Sequence, residues 1–376
     1  MPDAHSASSA AIRGWCPTAW RPMMAGDGLL VRVRPPQGRL AVPQAIALAE
    51  AARLHGNGLI DLTNRAALQL RGVTEQSHGP LLRQLVALGL ADADPAREVR
   101  RNFLLAPDSS PGDDSESIVL RLIAHLDDLP QLPSKIGIAI DAGPAPCLAG
   151  VPADFRFERS QAGALLLRVE GRPMGSPTSV ETAASDLIAL VRWFLATGGA
   201  ASGRAARHGA PLPMAAEMAP APSRALSQVL ASASGPFHAV PFGQIDADGL
   251  IALTRKRNVA ALRLTPWRGL ILEGGAQRAG HAPPDGLLRV DACPGAPACP
   301  QASVETRGLA SRLAPLVEGS LHVSGCAKGC ARQGTAKLVL TGRQGRFDLS
   351  RNARAGSPPE KTGLTARQVL ALFGRP

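Results

Sequence analysis

The sequence predicts an α+β protein that carries one small βαββ unit twice, followed by a cysteine-bearing α+β segment. Three observations support this. Asp27-Gly-Leu-Leu-Val-Arg-Val-Arg34 alternates apolar and polar residues, the pattern of a half-buried strand. Residues 59–72 read as two short strands around a turn at Asn64, and 262–274 repeat their features: a Leu-Thr pair, an Arg shortly after it, an alternating strand and a closing Gly. Four of the six cysteines fall in two Gly- and Pro-rich clusters near the end of the chain.

Taken in order, residues 1–22 are polar and small and are expected to form a loose tail. A strand over 27–34 is followed by apolar residues at helical spacing over 42–56, with Pro43 near the helix start. The strand pair 59–72 and a helix over 74–89 complete the first unit, 23–94, as a ferredoxin-like sandwich. Residues 95–232 read as mixed helix and strand. They include a loop-like stretch, 108–117, and a Pro/Ala/Gly-rich surface excursion, 198–223. The second half-unit, 233–283, opens at Gly235-Pro-Phe-His-Ala-Val-Pro-Phe-Gly243 and places its helix over 251–258. The final unit, 284–376, ends in a helix over 365–373, with Thr365 as its N-cap.

Composition narrows the function. The 376 residues suffice for two or three packed units, and 45% apolar with 19% charged content is globular. The net charge is +11, and only five of the 41 cations are Lys. Arginine suits forked contacts with carboxylate or phosphate. The arginines are scattered, with no concentrated basic tract and no aromatic-basic stacking motif, so a polyanionic small molecule fits better than nucleic acid or a membrane surface. The start lacks the apolar core of a signal peptide, and the apolar stretch 183–201 is interrupted by Asp186 and Arg192. A cytoplasmic location with reduced thiols is expected.

The cysteines carry the chemistry. Cys293-Pro-Gly-Ala-Pro-Ala-Cys299 is followed by Cys326-Ala-Lys-Gly-Cys330. Soft thiolates converging on a compact core suit an iron–sulfur cluster, and Gly and Pro let backbone amides approach its sulfurs. Structural zinc is the competing reading, but its pairs usually enclose two to four residues, and five separate Cys293 from Cys299. Inert buried thiols are the plainest alternative. Cys16 and Cys147 stand alone and read as ordinary thiols.

The Cys-x5-Cys and Cys-x3-Cys pairs, with Pro-Gly after the first Cys, resemble the signature of the nitrite and sulfite reductase family. The resemblance runs from about residue 27 to 372 and implies duplicated ferredoxin-like halves plus two α+β reductase-type domains. It also implies a [4Fe-4S] cluster on Cys293, Cys299, Cys326 and Cys330, with Cys330 bridging to a siroheme iron. Basic residues over that iron match here as Arg65 in Leu-Thr-Asn-Arg, Arg101 in Arg-Arg-Asn-Phe, and Lys135 in Leu-Pro-Ser-Lys-Ile-Gly. The family's second Lys is missing, since position 137 is Gly.

The opening Gly14-Trp-Cys-Pro, with Arg21-Pro-Met and the strand to Arg34, resembles a branch of the family that oxygenates a reduced, many-carboxylate tetrapyrrole on the aerobic route to cobalamin. That branch implies dioxygen as co-substrate, hydroxylation with lactone formation, and siroheme or a mononuclear non-haem iron beside the cluster. A siroheme-dependent nitrite or sulfite reductase, and a non-enzymatic electron-transfer or sensing protein, are the alternatives. No nucleotide-binding fingerprint is present, as Gly56-Asn-Gly58 lacks its third Gly. Electrons are therefore expected from a separate reductase or ferredoxin-like carrier, ultimately fed by NAD(P)H.

Overall fold

The computed structural model describes residues 15–276 and 289–374. Two compact units emerge: one holds 24–29 and 289–374, the other 15–23 and 30–276. Among the described residues, no helix is long and apolar enough to cross a membrane. Residues 1–14 of the expected tail lie outside the described region. Residues 15–22 are pinned rather than loose: the Trp20 indole donates to Asp92 O at 2.9 Å, and the His78 ring meets Ala19 O at 2.8 Å.

The first half-unit runs β1 (Met23–Ala25), β2 (Gly28–Val33), β3 (Arg39–Ala41), α1 (Val42–His55), β4 (Leu59–Leu62), β5 (Leu68–Val73) and α2 (Glu75–Ala87). Thr74 caps α2 by accepting from Ser77 N at 3.1 Å. A central segment follows, with α3 (Pro95–Arg100), β6 (Phe103–Leu105), α4 (Asp114–Ala124), β7 (Ile138–Asp141), β8 (Phe155–Arg159), β9 (Leu165–Val169), β10 (Ser176–Pro177) and α5 (Ala183–Ala196). The stretch read as loop over 108–117 is already helical from Asp114, because Asp113 caps α4 at Glu116 N. Short helices α6 (Gly199–Ser202) and α7 (Leu226–Ser232) lead into the second half-unit: β11 (Phe237–Ala239), β12 (Gln244–Asp246), α8 (Ala247–Thr254), β13 (Ala261–Leu264) and β14 (Gly269–Glu273). Helix α8 starts four residues before the expected 251, since Asp246 caps it at Gly249 N.

The two half-units are copies related by a shift of 202 residues. Thr63 and Thr265 each tie their turn with the side-chain hydroxyl, and Ala66 and Arg268 share a left-handed φ near +50°. Each copy lends a strand to the other. β3 pairs antiparallel with β13, and β12 pairs antiparallel with β4. The resulting sheets are ordered β1-β2-β5-β4-β12 and β11-β14-β13-β3. An ion pair recurs with its charges exchanged: Asp61–Arg71 in the first copy and Glu273–Arg263 in the second, each at 2.6 Å. The lent strands complete both pairs, through Gln244 on Asp61 at 2.8 Å and Arg39 on Glu273 at 2.6 Å. The closing glycines of the repeat, Gly72 and Gly274, have φ of +68° and +76°. A Cβ there would fall 2.6 Å from the Asn57 side chain or 2.7 Å from Asn258 O.

The central sheet is ordered β10-β9-β8-β7-β6, with β6, β7 and β8 parallel and the rest antiparallel. Its core includes Phe155 and Phe194, packed edge to face at 5.7 Å. Residues 290–373 repeat this plan as β15 (Val290–Ala292), α9 (Arg307–Leu313), β16 (Leu321–Ser324), β17 (Ala336–Arg343), β18 (Arg346–Ala353), β19 (Lys361–Leu364) and α10 (Ala366–Phe373). Here β15, β16 and β17 are parallel, and β18 and β19 follow antiparallel. Thr365 caps α10 at Gln368 N, as its sequence position implies.

The central sheet carries a buried acid at the end of β7. Asp141 Oδ2 accepts from Cys147 N and Leu148 N at 2.7 Å each, and the Cys147 thiol lies 3.5 Å from Oδ1. Burial outweighs these donors and pushes the carboxyl up from 3.8 to about 6. The folded state therefore holds the proton longer than the unfolded chain. Stability falls as pH rises from about 4 to about 6, by on the order of 3 kcal/mol. Asp141→Asn is expected to flatten that slope. Urea midpoints measured at pH 4, 5, 6 and 7 check it, and equal slopes in both proteins would contradict it.

Candidate functional site

The cysteine tetrad sits where parallel strands end. Cys293 directly follows β15, and Cys326 follows β16 after one glycine. Cys293 is buried, Cys299 and Cys326 are half-buried, and Cys330 is exposed; all four are free thiols. Gly325 N–H donates to Cys293 Sγ at 3.2 Å. A Cβ on Gly325 would lie 2.5 Å from the Ala302 methyl, so this close approach requires glycine. Gly295, at φ +70°, lies under Thr306, whose hydroxyl donates to Cys293 O. Cys299 N closes the first loop on Gly295 O at 2.8 Å. Burial and the three neighbouring thiols raise the Cys330 thiol's pKa against the pull of Lys328.

This donor set suits a cluster. Soft sulfurs rim one loop pair, a backbone amide already points at one of them, and glycines keep the floor open. Among the described residues, no three His, Cys, Asp or Glu side chains, the four cysteines included, are placed to hold a metal ion.

The basic residues lie in the other unit. Arg65, Arg101 and Arg34 line one cleft with Gln37 and Phe103. Arg65 Nη2 donates to Lys135 O at 2.7 Å, while its Nη1 is buried without a hydrogen-bond partner. Burial, and then Arg204, lower the Arg65 pKa. Arg101 Nη2 donates to Arg34 O at 3.0 Å, and its Nη1 meets Glu98 at 3.3 Å. Arg34 is half-buried, and its Nη1 forms a long ion pair with Glu98 at 4.0 Å without a hydrogen bond; desolvation brings its pKa down to about 10. Lys135 enters this network through its backbone carbonyl, which also accepts from Arg204 at 3.3 Å. Gly137 borders the same spot: a Cβ there would be 3.8 Å from Arg65 Nη1. Buried guanidinium donors without partners are costly, and together they make a receptor for an anionic group.

Residues 21–88 match the nitrite/sulfite reductase ferredoxin-like half-domain family. A precorrin-3B synthase from Sinorhizobium sp is 31% identical over 419 residues, covering 96% of this chain and 88% of that protein. The chain belongs to the precorrin-3B synthase family. It is therefore an enzyme of the oxidoreductase class, built on the duplicated α+β plan of nitrite and sulfite reductases. A ferredoxin–nitrite reductase from Synechococcus elongatus is 31% identical over 141 residues, which is 34% of this chain and 27% of that protein. The solved structure of Mycobacterium tuberculosis NirA superposes with a TM-score of 0.57 over 91% of this chain and 78% of its own. At 16% identity it bears on the fold alone.

Arg65 and Arg101 line one cleft, and the four cysteines lie on the two loops that follow β15 and β16. Arg34 and Arg32 were missed. Arg32 lies between the buried Val31 and Val33 on β2 and so projects from the strand's other face, and Arg34 follows directly after the strand's end. Burial lowers the Arg32 pKa against the opposing pull of nearby Cys16. The signal was the Arg-x-Arg spacing, which is otherwise the polar half of any amphipathic strand.

Proposed function

We propose that the protein converts precorrin-3A to precorrin-3B with dioxygen. One oxygen atom enters the macrocycle, with lactone closure by an acetate arm, and the other leaves as water, so two external electrons and two protons are consumed. The observation that carries this reading is the cleft of Arg34, Arg65 and Arg101, in which the buried Nη1 of Arg65 and of Arg34 make no hydrogen bond. A substrate with many carboxylates supplies those partners in forked, charge-assisted pairs. Cys293, Cys299, Cys326 and Cys330 would hold a [4Fe-4S] cluster, which when bound passes electrons one at a time to the oxygen-activating iron.

The chain's own residues bind and orient. Arg65 is braced by Lys135 O, leaving Nη1 for a carboxylate. Arg101 is braced by Glu98 and by Arg34 O, so its guanidinium is fixed before substrate arrives. Gly137 favours this reading over reduction of nitrite or sulfite. A small dianion calls for several converging charges, and the position of the family's second Lys is held by Gly137, which supplies none beside Arg65.

Anaerobic purification, with assay of iron and labile sulfide and a visible spectrum, tests the cofactor part. Labile sulfide near four per chain is expected, and its absence sinks the cluster. The same spectrum separates siroheme from a mononuclear non-haem iron. The electron donor is proposed to be a separate reductase or ferredoxin-like carrier in the cytoplasm.

A further inference from the structure

Strand β16 reads Leu321-His-Val-Ser324, and all four residues are buried. In a pleated strand, Leu321 and Val323 share one face while His322 and Ser324 share the other. Asp291 pairs opposite His322 and Ala292 opposite Val323. Cys293, the next residue along, therefore continues on the face of His322. The 326–330 hairpin folds over that same face. Ser324 Oγ donates to Cys326 O at 2.7 Å, and a Cβ on Gly329 would lie 3.5 Å from His322 Cε1. His322 thus lies beneath the hairpin that carries two of the four cysteines.

The imidazole is fully buried, at 0% exposure, and neither ring nitrogen has a hydrogen-bond partner. A buried polar atom left unpaired is costly, so such a group calls for a partner absent from the protein alone. Asp291, across the ladder, already takes Arg332 at 2.9 Å. Nothing in the basic cleft uses His322, and no cysteine spacing points to it.

We propose that His322 is a positioning residue for the tetrad's cluster, donating one ring N–H to a cluster sulfur. The inference rests on the cluster reading above. A neutral imidazole has one donor to give, and an N–H aimed at sulfur stabilises the more negative, reduced cluster. Its loss makes the cluster harder to reduce.

The test uses the full chain, reconstituted anaerobically, and follows the cluster potential by redox titration with EPR. His322→Leu is expected to lower the potential, by up to about tenfold in the reduction equilibrium, or about 59 mV for one electron. His322→Gln, which keeps an N–H donor, is expected to restore most of the shift. A fully loaded His322→Leu protein with an unmoved potential overturns the inference and leaves the cluster standing. If His322→Leu fails to load, pulsed EPR on reduced wild-type protein with 15N-labelled histidine decides. A weak nitrogen coupling supports the contact, and its absence overturns it. Wild-type protein without labile sulfide overturns the cluster reading and this inference with it.

Discussion

On the proposed cluster reading, Cys330→Ala is expected to yield a folded protein without cluster or turnover. The sheet β15–β19 is held by its own ladders and by Val290, Leu321, Val323, Leu338 and Leu349 in its core, none of which involve Cys330. Cys330 is an exposed residue on a loop, so removing its sulfur costs the fold little. The cluster, by contrast, loses one of four thiolate ligands. Iron and labile sulfide in anaerobic preparations should fall by about tenfold or more, with far-ultraviolet dichroism unchanged. Cys147→Ala is the matched control. Cys147 follows β7, the central sheet's counterpart of β16, yet its thiol is buried against Asp141 and Asp108, and its pKa is held far above the normal range. That variant should keep its iron. Iron retained at wild-type level by Cys330→Ala would contradict the assignment.

Arg65→Leu is the second large effect. The substitution removes a buried guanidinium with one arm on Lys135 O and the other unpartnered beside Gly137. A forked, charge-assisted contact to a carboxylate contributes about 2–4 kcal/mol, or roughly 30- to 1000-fold in kcat/KM. Because binding is what the arginine supplies, most of the loss should appear in KM. Arg65→Lys keeps the charge but not the fork and should fall between the two. Steady-state kinetics on the three proteins decide the point, and unchanged KM and kcat in Arg65→Leu would remove Arg65 from the substrate site.

What the sequence revealed, and what it hid, follows from the range of each signal. The strand pairs around Thr63 and Thr265, the helix that begins at residue 75 and the cap Thr365 are local patterns, and each was legible. The exchange of β3 and β12 between the copies was not, because three-residue strands carry no readable period and their pairing partners lie some 200 residues away. The shared plan of the central sheet and the final sheet was equally hidden. The loops that hold the cysteines after β15 and β16 hold Asp108 and Cys147 after β6 and β7, so the topology repeats while the residues do not. Arg34 read as the wet side of an amphipathic strand, and His322 was lost within an apolar run. Their roles follow from burial without a partner, which only the folded chain reveals.

The most direct test of the central claim is a single-turnover reaction of the anaerobically reconstituted protein with precorrin-3A, a two-electron donor and 18O2, read by mass spectrometry of the product. One 18O atom per product molecule, with no reaction when dioxygen is withheld, is the predicted result. Product free of 18O, or unchanged precorrin-3A alongside steady reduction of sulfite or nitrite, would contradict it.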